Sequence, residues 1–147
     1  MFASIVVGTD GSETAREAVG RAVELAAAHG AQLRIVSAYE PVSEARLREE
    51  AQQLPADLQW AVNAREDVDA TLRGAAEAAR SAGVEVVTYS RQGDAADAIL
   101  DVAEEQGADL IVVGNKGMTG ARRFLLGSVP NRVSNHAPCS VLIIRTT

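Results

Sequence analysis

Short apolar runs rich in valine and isoleucine alternate along this chain with longer segments whose apolar residues recur at helical spacing. The apolar runs span residues 2–8, 33–39, 84–89, 109–114 and 140–145. Strands joined by crossover helices run parallel, and near-continuous apolar strands are typical of a sheet buried on both faces. The pattern therefore predicts an α/β fold: a single doubly wound five-stranded parallel sheet, Rossmann-like, with helices on both faces.

The segments between the runs carry signals for helix starts and stops. Ser12 can cap a helix that ends at Gly30, because serine accepts from free N–H groups and glycine adopts the left-handed conformation past a helix end. Further helices are predicted over residues 68–82, 93–106 and 128–136. Residues 42–65 are charged, rich in glutamine and interrupted by a proline, and they predict a loop with some helix.

The length and composition fit one domain with an aliphatic core. The chain has 147 residues, a usual size for one domain, and we expect that domain to cover residues 1–147. Hydrophobic residues make up 47% of the chain and aromatic residues only 3%. Alanine, valine, leucine and isoleucine must therefore build the core.

The single cysteine, Cys139, indicates a reducing compartment, because one cysteine forms no internal disulfide. The first residues lack the basic region of a secretory signal, and their apolar run is too short for one. No stretch approaches the roughly 20 apolar residues of a membrane helix. We expect a cytoplasmic protein with no membrane partner. Cys139 begins an apolar strand and is interpreted as a small core residue.

The net charge of −6 is unevenly distributed along the chain. All 20 acidic residues lie at or before Asp109, whereas residues 110–147 contain five basic residues and no acidic one. An acidic protein with one basic end suits a small anionic ligand better than a nucleic-acid duplex. We therefore expect no nucleic-acid partner.

The loop after the fourth strand has the features of a phosphate cradle. Gly114 and Gly117 lie three apart, and Gly127 joins directly to Ser128 at a predicted helix start. Glycines let backbone N–H groups approach an anion, and a helix N-terminus adds free donors and a positive dipole end. Doubly wound folds bind ligands beyond the carboxyl ends of their strands, which is where this loop lies.

Each of three charged residues near the predicted cradle has two possible interpretations, one as a ligand contact and one without a ligand. Lys116 and Arg122 could pair with phosphates, or they could be solvated loop charges. Asp10 could contact a ribose or a Mg²⁺ ion bound to phosphate, or it could be a turn residue. The cradle matches neither Gly-x-x-x-x-Gly-Lys-Ser/Thr nor Gly-x-Gly-x-x-Gly after the first strand.

The full spacing resembles the ATP-binding branch of the universal stress protein family, over essentially the whole chain. Residues 5–12 look like that family's first strand and turn. Gly114, Gly117, Gly127 and Ser128 match its signature of glycine, two residues, glycine, nine residues, glycine and serine or threonine.

The resemblance implies the parts of a binding site. Val129 would present its backbone to the phosphates, Thr9 and Asp10 would border the adenosine, and Ala38 would meet adenine through its backbone. Valine is more usual at the position of Ala38, so this is a mild departure. The predicted nucleotide-binding residues are Thr9, Asp10, Ala38, Val113, Gly114, Asn115, Lys116, Gly117, Gly127, Ser128 and Val129.

The function that follows is a regulator or sensor in the stress response that binds ATP or another adenine nucleotide, together with Mg²⁺. A slow ATPase or other nucleotide hydrolase is an alternative, as is a binder of AMP or cyclic AMP. The loop could also be a structural element without a ligand, which the intact signature disfavours. No general base is evident beside the loop, so no catalytic residue is predicted and hydrolysis is at most slow. No protein-only metal site is predicted, because no Cys, His or Asp cluster has ligand spacing.

The last strand predicts a homodimer. Residues 140–145 are apolar and short, and they would expose unpaired backbone groups if they lay at the sheet edge. Pairing with the same strand of a second copy would satisfy both edges, and the family resemblance implies the same arrangement.

Overall fold

The computed structural model describes residues 1–39, 64–115 and 127–146. Within them, five strands and four helices alternate along the chain. Their bounds are β1 Ser4–Gly8, α1 Glu13–His29, β2 Gln32–Tyr39, α2 Ala64–Ser81, β3 Val86–Gln92, α3 Ala95–Glu105, β4 Leu110–Gly114, α4 Ser128–His136 and β5 Ser140–Ile144. All neighbouring strands are parallel, in the order β3-β2-β1-β4-β5. The predicted fold class is confirmed.

Capping residues set the ends of α1 as the sequence predicts. The side chain of Ser12 accepts a hydrogen bond from the Ala15 N–H, which satisfies one of the free donors of the first turn. Gly30 follows the helix with φ 65° and donates its N–H to the Ala26 carbonyl. The same logic starts α3, where the Asp94 carboxylate accepts from the Asp97 N–H at 3.1 Å.

Two elements extend three or more residues beyond their predicted bounds. β3 continues through Ser90 to Gln92, although these residues are polar, because it keeps pairing with β2 as far as Tyr39. As a sheet-edge strand it has one neighbour, so polar side chains there remain solvated. α2 begins at Ala64, ahead of the predicted residue 68, and its first turn carries acidic residues that favour the helix dipole. The expectation for residues 42–65 falls almost entirely outside the described residues.

Alternating strand residues build one core on each face of the sheet. On one face, Ile5 and Val7 pack with apolar residues of α1 and α2. On the other face, Val6 packs with α3 and α4. The buried hydrophobic residues of the described chain are all alanine, valine, leucine or isoleucine, so the aliphatic core is confirmed. Fully burying one valine, leucine or isoleucine side chain stabilises the fold by about 1.5–3 kcal/mol.

The strand order places the switch point of the sheet between β1 and β4. The chain builds outward from β1 to β2 and β3, and then returns to the other side of β1 to form β4 and β5. The carboxyl ends of β1 and β4 are therefore neighbours at the edge where doubly wound folds bind ligands. No helix in the described part of the chain is long and apolar enough to span a membrane.

Candidate functional site

The turn after β1 is held in one conformation by Thr9. This threonine is 3% exposed, and its N–H donates to the Val36 carbonyl at 2.9 Å. Its hydroxyl oxygen accepts from the Gly11 N–H at 3.1 Å. Gly11 has φ 81°, and a Cβ there would lie 2.9 Å from the Thr71 hydroxyl oxygen, so only glycine fits. The turn at the carboxyl end of β1 is therefore joined to β2 and closed by hydrogen bonds of Thr9.

Asp10 takes part in this turn and remains exposed at the sheet edge. One of its carboxylate oxygens accepts from the Ser12 N–H at 2.9 Å, two residues along, which is the geometry of an Asx turn. The turn interpretation of Asp10 is thus supported. Its exposed carboxylate still lies beside the carboxyl end of β1, where a ligand could meet it.

A small cavity lies at the carboxyl ends of β1 and β2, on the face that α3 covers. Its volume is about 90 Å³. The alanine side chain at position 38 is half-buried and leaves this space open. The cavity brings together three residues of the predicted adenosine site, and its lining is Thr9, Asp10, Val36, Ala38, Ala95 and Ile99.

The second half of the edge is built by the end of β4 and the start of α4. The Asn115 carbonyl accepts from the Gly127 N–H at 3.0 Å, so these two residues are hydrogen-bonded to each other. Gly127 is buried and occupies the N-cap position of α4 with φ −63° and no side-chain capping bond. The described structure thus brings Asn115, at the end of β4, against the N-terminus of α4.

The first turn of α4 has the electrostatic character of an anion site. It contains no acidic residue, and Ser128 at its start is exposed. The free N–H groups and the dipole at a helix N-terminus favour negative charge. Val129 is 8% exposed and packs into the core below, which fixes the helix against the sheet. Val113, 3% exposed, packs into the same core from β4.

Part of the predicted loop falls outside the described residues. Lys116 and Gly117 lie there, as do Arg122 and Arg123. The expectations for these residues, including their contacts with phosphates, stay predictions. The remaining predicted site residues are described, and they come from the ends of three strands and one helix.

An ion pair that the sequence did not indicate joins α4 to the start of α3. One guanidinium nitrogen of Arg132 lies 2.6 Å from a carboxylate oxygen of Asp97, and the other lies 3.4 Å from Asp94. These residues are separated by more than 30 positions, and only the fold brings them together. The pairing offsets part of the positive charge that Arg132 would otherwise contribute near the cradle.

The other reactive side chains of the described chain include Cys139 and the acidic and histidine residues. Burial raises the pKa of the Cys139 thiol, which disfavours the nucleophilic thiolate and agrees with the interpretation of a core residue. Among the described residues, no group of three or more His, Cys, Asp or Glu side chains is placed to hold a metal ion.

A larger groove of about 490 Å³ lies on the opposite face, between α1 and α2. Small residues such as Gly20 and Gly74 line much of it, and Thr9 borders both this groove and the small cavity. Size alone would favour the groove as a ligand site. The chemistry favours the sheet edge, because the helix N-terminus without a side-chain capping bond at Gly127 lies there, at the switch point of the strands.

The fold and the edge site define a doubly wound α/β protein with an anion-favouring helix start at its switch point. The universal stress protein family matches residues 1–145. The universal stress protein Rv1636 of Mycobacterium tuberculosis is 40% identical over 148 residues, which cover 99% of this chain and 98% of the relative. The chain belongs to the universal stress protein family, as its signature predicts.

Solved structures of this family have the same fold. A universal stress protein in complex with cAMP superposes with a TM-score of 0.73 at 35% identity, covering 99% of this chain and 98% of the other. The universal stress protein from Archaeoglobus fulgidus in complex with dAMP superposes with a TM-score of 0.68 at 26% identity, with 97% of each chain covered.

Proposed function

We propose that this protein binds an adenine nucleotide, with ATP as the first candidate, at the carboxyl edge of its sheet. The observation that carries the proposal is the uncapped N-terminus of α4 at Gly127, together with a cavity that Thr9 and Ala38 line. A helix start without a side-chain cap leaves N–H donors for phosphate oxygens. Relatives in complex with cAMP and dAMP support an adenine nucleotide over other anions.

In the proposed pose, the adenosine lies at the ends of β1 and β2, and the phosphates lie at the end of β4 and the start of α4. The phosphates would accept hydrogen bonds from the backbone N–H groups of Ser128 and Val129. Gly127, whose N–H donates to the Asn115 carbonyl, would leave room beside them because it has no side chain, and the end of β4 would lie beneath them. The adenosine would lie against Thr9, Asp10 and Ala38. The sequence signature adds Lys116 and Gly117 to the phosphate side. The cavity of about 90 Å³ encloses only part of a nucleotide, so most of the ligand would lie over the edge.

The expected affinity is moderate for this reason. A partly enclosed nucleotide held mainly by backbone donors is expected to bind with a micromolar Kd, about −8 kcal/mol. Mg²⁺ would be held chiefly by phosphate oxygens, as is usual for this ion. The exposed Asp10 carboxylate is the described acidic group of the cavity lining that could join its coordination shell, directly or through water.

We propose regulation, and not catalysis, as the role of the bound nucleotide. Rapid phosphoryl transfer needs a group that positions the attacking nucleophile. Asp10 is the acidic residue that lines the described cavity, and it is already engaged in the turn with Ser12. The protein would then act as a stress-response regulator or sensor that changes state with nucleotide. AMP or cyclic AMP as the physiological ligand is a second candidate, favoured by the relatives' bound ligands.

Calorimetric titration of the nucleotide-free protein tests the proposal. ATP, ADP, AMP and cyclic AMP are titrated in turn, each with and without Mg²⁺. A micromolar Kd with ATP that weakens without Mg²⁺ is expected. A tighter Kd for AMP or cyclic AMP would support the second candidate. No heat and no thermal stabilisation with any of the four nucleotides would refute nucleotide binding.

We also propose that the protein is a cytoplasmic homodimer that pairs through residues 140–145. The strand order supports this proposal, because β5 is an edge strand in the described sheet. Leu142 on this strand is 36% exposed, which makes it one of the exposed large hydrophobic residues of the described chain. Leu142 and Ile144 also line a shallow apolar depression with Leu25 of α1. Antiparallel pairing of two β5 strands about a two-fold axis would cover both features.

A further inference from the structure

Asn115 makes hydrogen bonds in three directions at the end of β4. Its N–H donates to the Ile144 carbonyl at 2.9 Å, and its carbonyl accepts from the Gly127 N–H at 3.0 Å. Its side-chain oxygen accepts from both the N–H and the hydroxyl of Thr146, at 2.9 and 3.1 Å. Asn115 therefore contacts the start of α4 with its backbone and the tail after β5 with its side chain.

The side-chain bonds require an acceptor oxygen in this place. A backbone N–H can only donate, so the bond from Thr146 fixes which end of the Asn115 amide faces it. The methyl group of Thr146 also packs close to the end of β4, because a Cβ built at Gly114 would lie 3.7 Å from it. The two backbone hydrogen bonds of Asn115 would be enough to end β4, so the side-chain bonds to Thr146 are an additional connection.

We propose that Asn115 is a positioning residue that couples nucleotide binding at α4 to dimerisation through β5. This inference rests on the proposed function, because it assigns a regulatory consequence to the same site. Phosphates bound at the N-terminus of α4 restrain Gly127, and Gly127 is bonded to Asn115. The side chain of Asn115 then restrains Thr146, two residues beyond the strand that forms the exposed edge.

The proposed coupling works by holding the end of the edge strand β5 in the position that it takes in the dimer. A β5 strand whose end is fixed loses less conformational freedom when it pairs with a second copy, so binding of nucleotide strengthens the dimer. Linkage makes the effect reciprocal: dimerisation also raises the nucleotide affinity of each copy. We expect a coupling factor of about tenfold, within the range typical of allosteric proteins.

Sedimentation velocity over a dilution series measures this factor as the ratio of dimer Kd values without and with saturating ATP. The variant Asn115→Ala removes the side-chain oxygen and is expected to reduce the factor to less than about twofold. Asn115→Asp keeps an acceptor for Thr146 and is expected to retain the coupling, at higher ATP concentrations because the added charge repels phosphate.

Two further variants distinguish loss of the hydrogen bonds between Asn115 and Thr146 from a general destabilisation of the fold. Asn135→Ala makes the same substitution at an exposed position near the end of α4 and is expected to keep the wild-type factor. Thr146→Val removes the hydroxyl but keeps the N–H, so an intermediate factor is expected. Circular dichroism and the thermal midpoint confirm that each variant folds, and the factor is compared only among folded variants.

The outcomes distinguish this inference from the proposed function. An undiminished factor in folded Asn115→Ala would overturn the role of Asn115. If wild-type protein binds ATP in calorimetry but its dimer Kd does not change, or if it stays monomeric, the coupling is refuted while nucleotide binding stands. Absence of nucleotide binding in the wild-type protein would refute both.

Discussion

The Asp109 carboxylate accepts a hydrogen bond from the Ala3 N–H at 2.8 Å and thereby joins the beginning of the chain to the start of β4. Its second oxygen accepts from the Ser4 N–H at 3.1 Å, at the first residue of β1. These backbone donors, the Ala3 bond foremost, lower the pKa of Asp109 below its ordinary value of 3.8. The central strands β1 and β4 are thus aligned at their amino ends by one ionised side chain.

This arrangement predicts acid-sensitive stability. Because the pKa of Asp109 is lower in the folded protein, its contribution is fully present above about pH 4 and is lost as the pH falls through the folded pKa. Asp109→Ala is expected to lower the free energy of unfolding by about 1 kcal/mol at neutral pH, since the site is partly exposed. Urea denaturation at pH 7 and at about pH 2.5 measures the difference. A difference that stays constant over this range would contradict the assignment.

Enlarging Ala38 is expected to block the proposed adenosine site. In Ala38→Phe, the ring would occupy the small cavity, and nucleotide affinity should fall by more than tenfold, at least about 1.4 kcal/mol. Ala27→Phe makes the same change at an exposed position of α1 and should bind normally. Calorimetry on both variants, after a check of thermal stability, decides the question. Equal nucleotide affinities of the two variants would show that the adenine base does not bind in the cavity beside Ala38.

The start of α4 provides a matched pair of serine substitutions. Ser128→Ala removes a hydroxyl beside the proposed phosphates and should weaken binding by about 1 kcal/mol. Ser134→Ala lies on the same helix, six residues beyond Ser128, where the hydroxyl donates to the Asn131 carbonyl. That control should leave the Kd unchanged. A comparable loss in both variants would indicate a helix-stability effect and not a phosphate contact.

Turnover of bound ATP is expected to be absent or very slow, well below the roughly 1–100 s⁻¹ of kinases. The described site offers backbone donors and one exposed carboxylate, but positioning of an attacking water needs more. Phosphate release is measured on protein freed of contaminating ATPases, beside Asp10→Ala. Rapid release that is lost in Asp10→Ala would make the protein an enzyme.

Charging the exposed edge should prevent dimerisation. Leu142→Lys places a cation on β5, and lysine on an edge strand opposes pairing with another strand. The variant should sediment as a monomer at micromolar concentration, where the wild-type protein forms a dimer. Thr88→Lys puts the same charge on the opposite edge strand, β3, and should remain dimeric. A dimeric Leu142→Lys variant would exclude β5 from the interface.

The sequence predicted the fold because its local signals agree with one another. Runs such as residues 110–114 are short and rich in β-branched residues, which favours buried strands, and Ser12 and Gly30 mark the helix between two of the runs. The polar end of β3 was missed because its pairing with β2, and not its own pattern, keeps it extended. Most strands and helices were therefore predictable from their own residues, whereas the polar end of β3 depends on its pairing with β2.

The candidate site was predictable only in part for the same reason. The glycine signature indicated Gly127 and Ser128, since a helix start after a glycine is visible in sequence. The pairing of Arg132 with Asp97 and of Asn115 with Thr146 joins residues more than 30 positions apart. No local pattern encodes such contacts, which depend on how the sheet order brings strand ends together. The predictions for Lys116 and Gly117 lie outside the described residues.

Backbone amide chemical shifts during an ATP titration test the central claim most directly, because they report where the ligand binds. We expect the largest changes at the sheet edge, at Thr9, Ala38, Gly127 and Ser128. The amides of Gly20 and Gly74, in the groove between α1 and α2, should move little. Shift changes that cluster in that groove, or no changes at ATP concentrations above the expected Kd, would contradict nucleotide binding at the carboxyl edge.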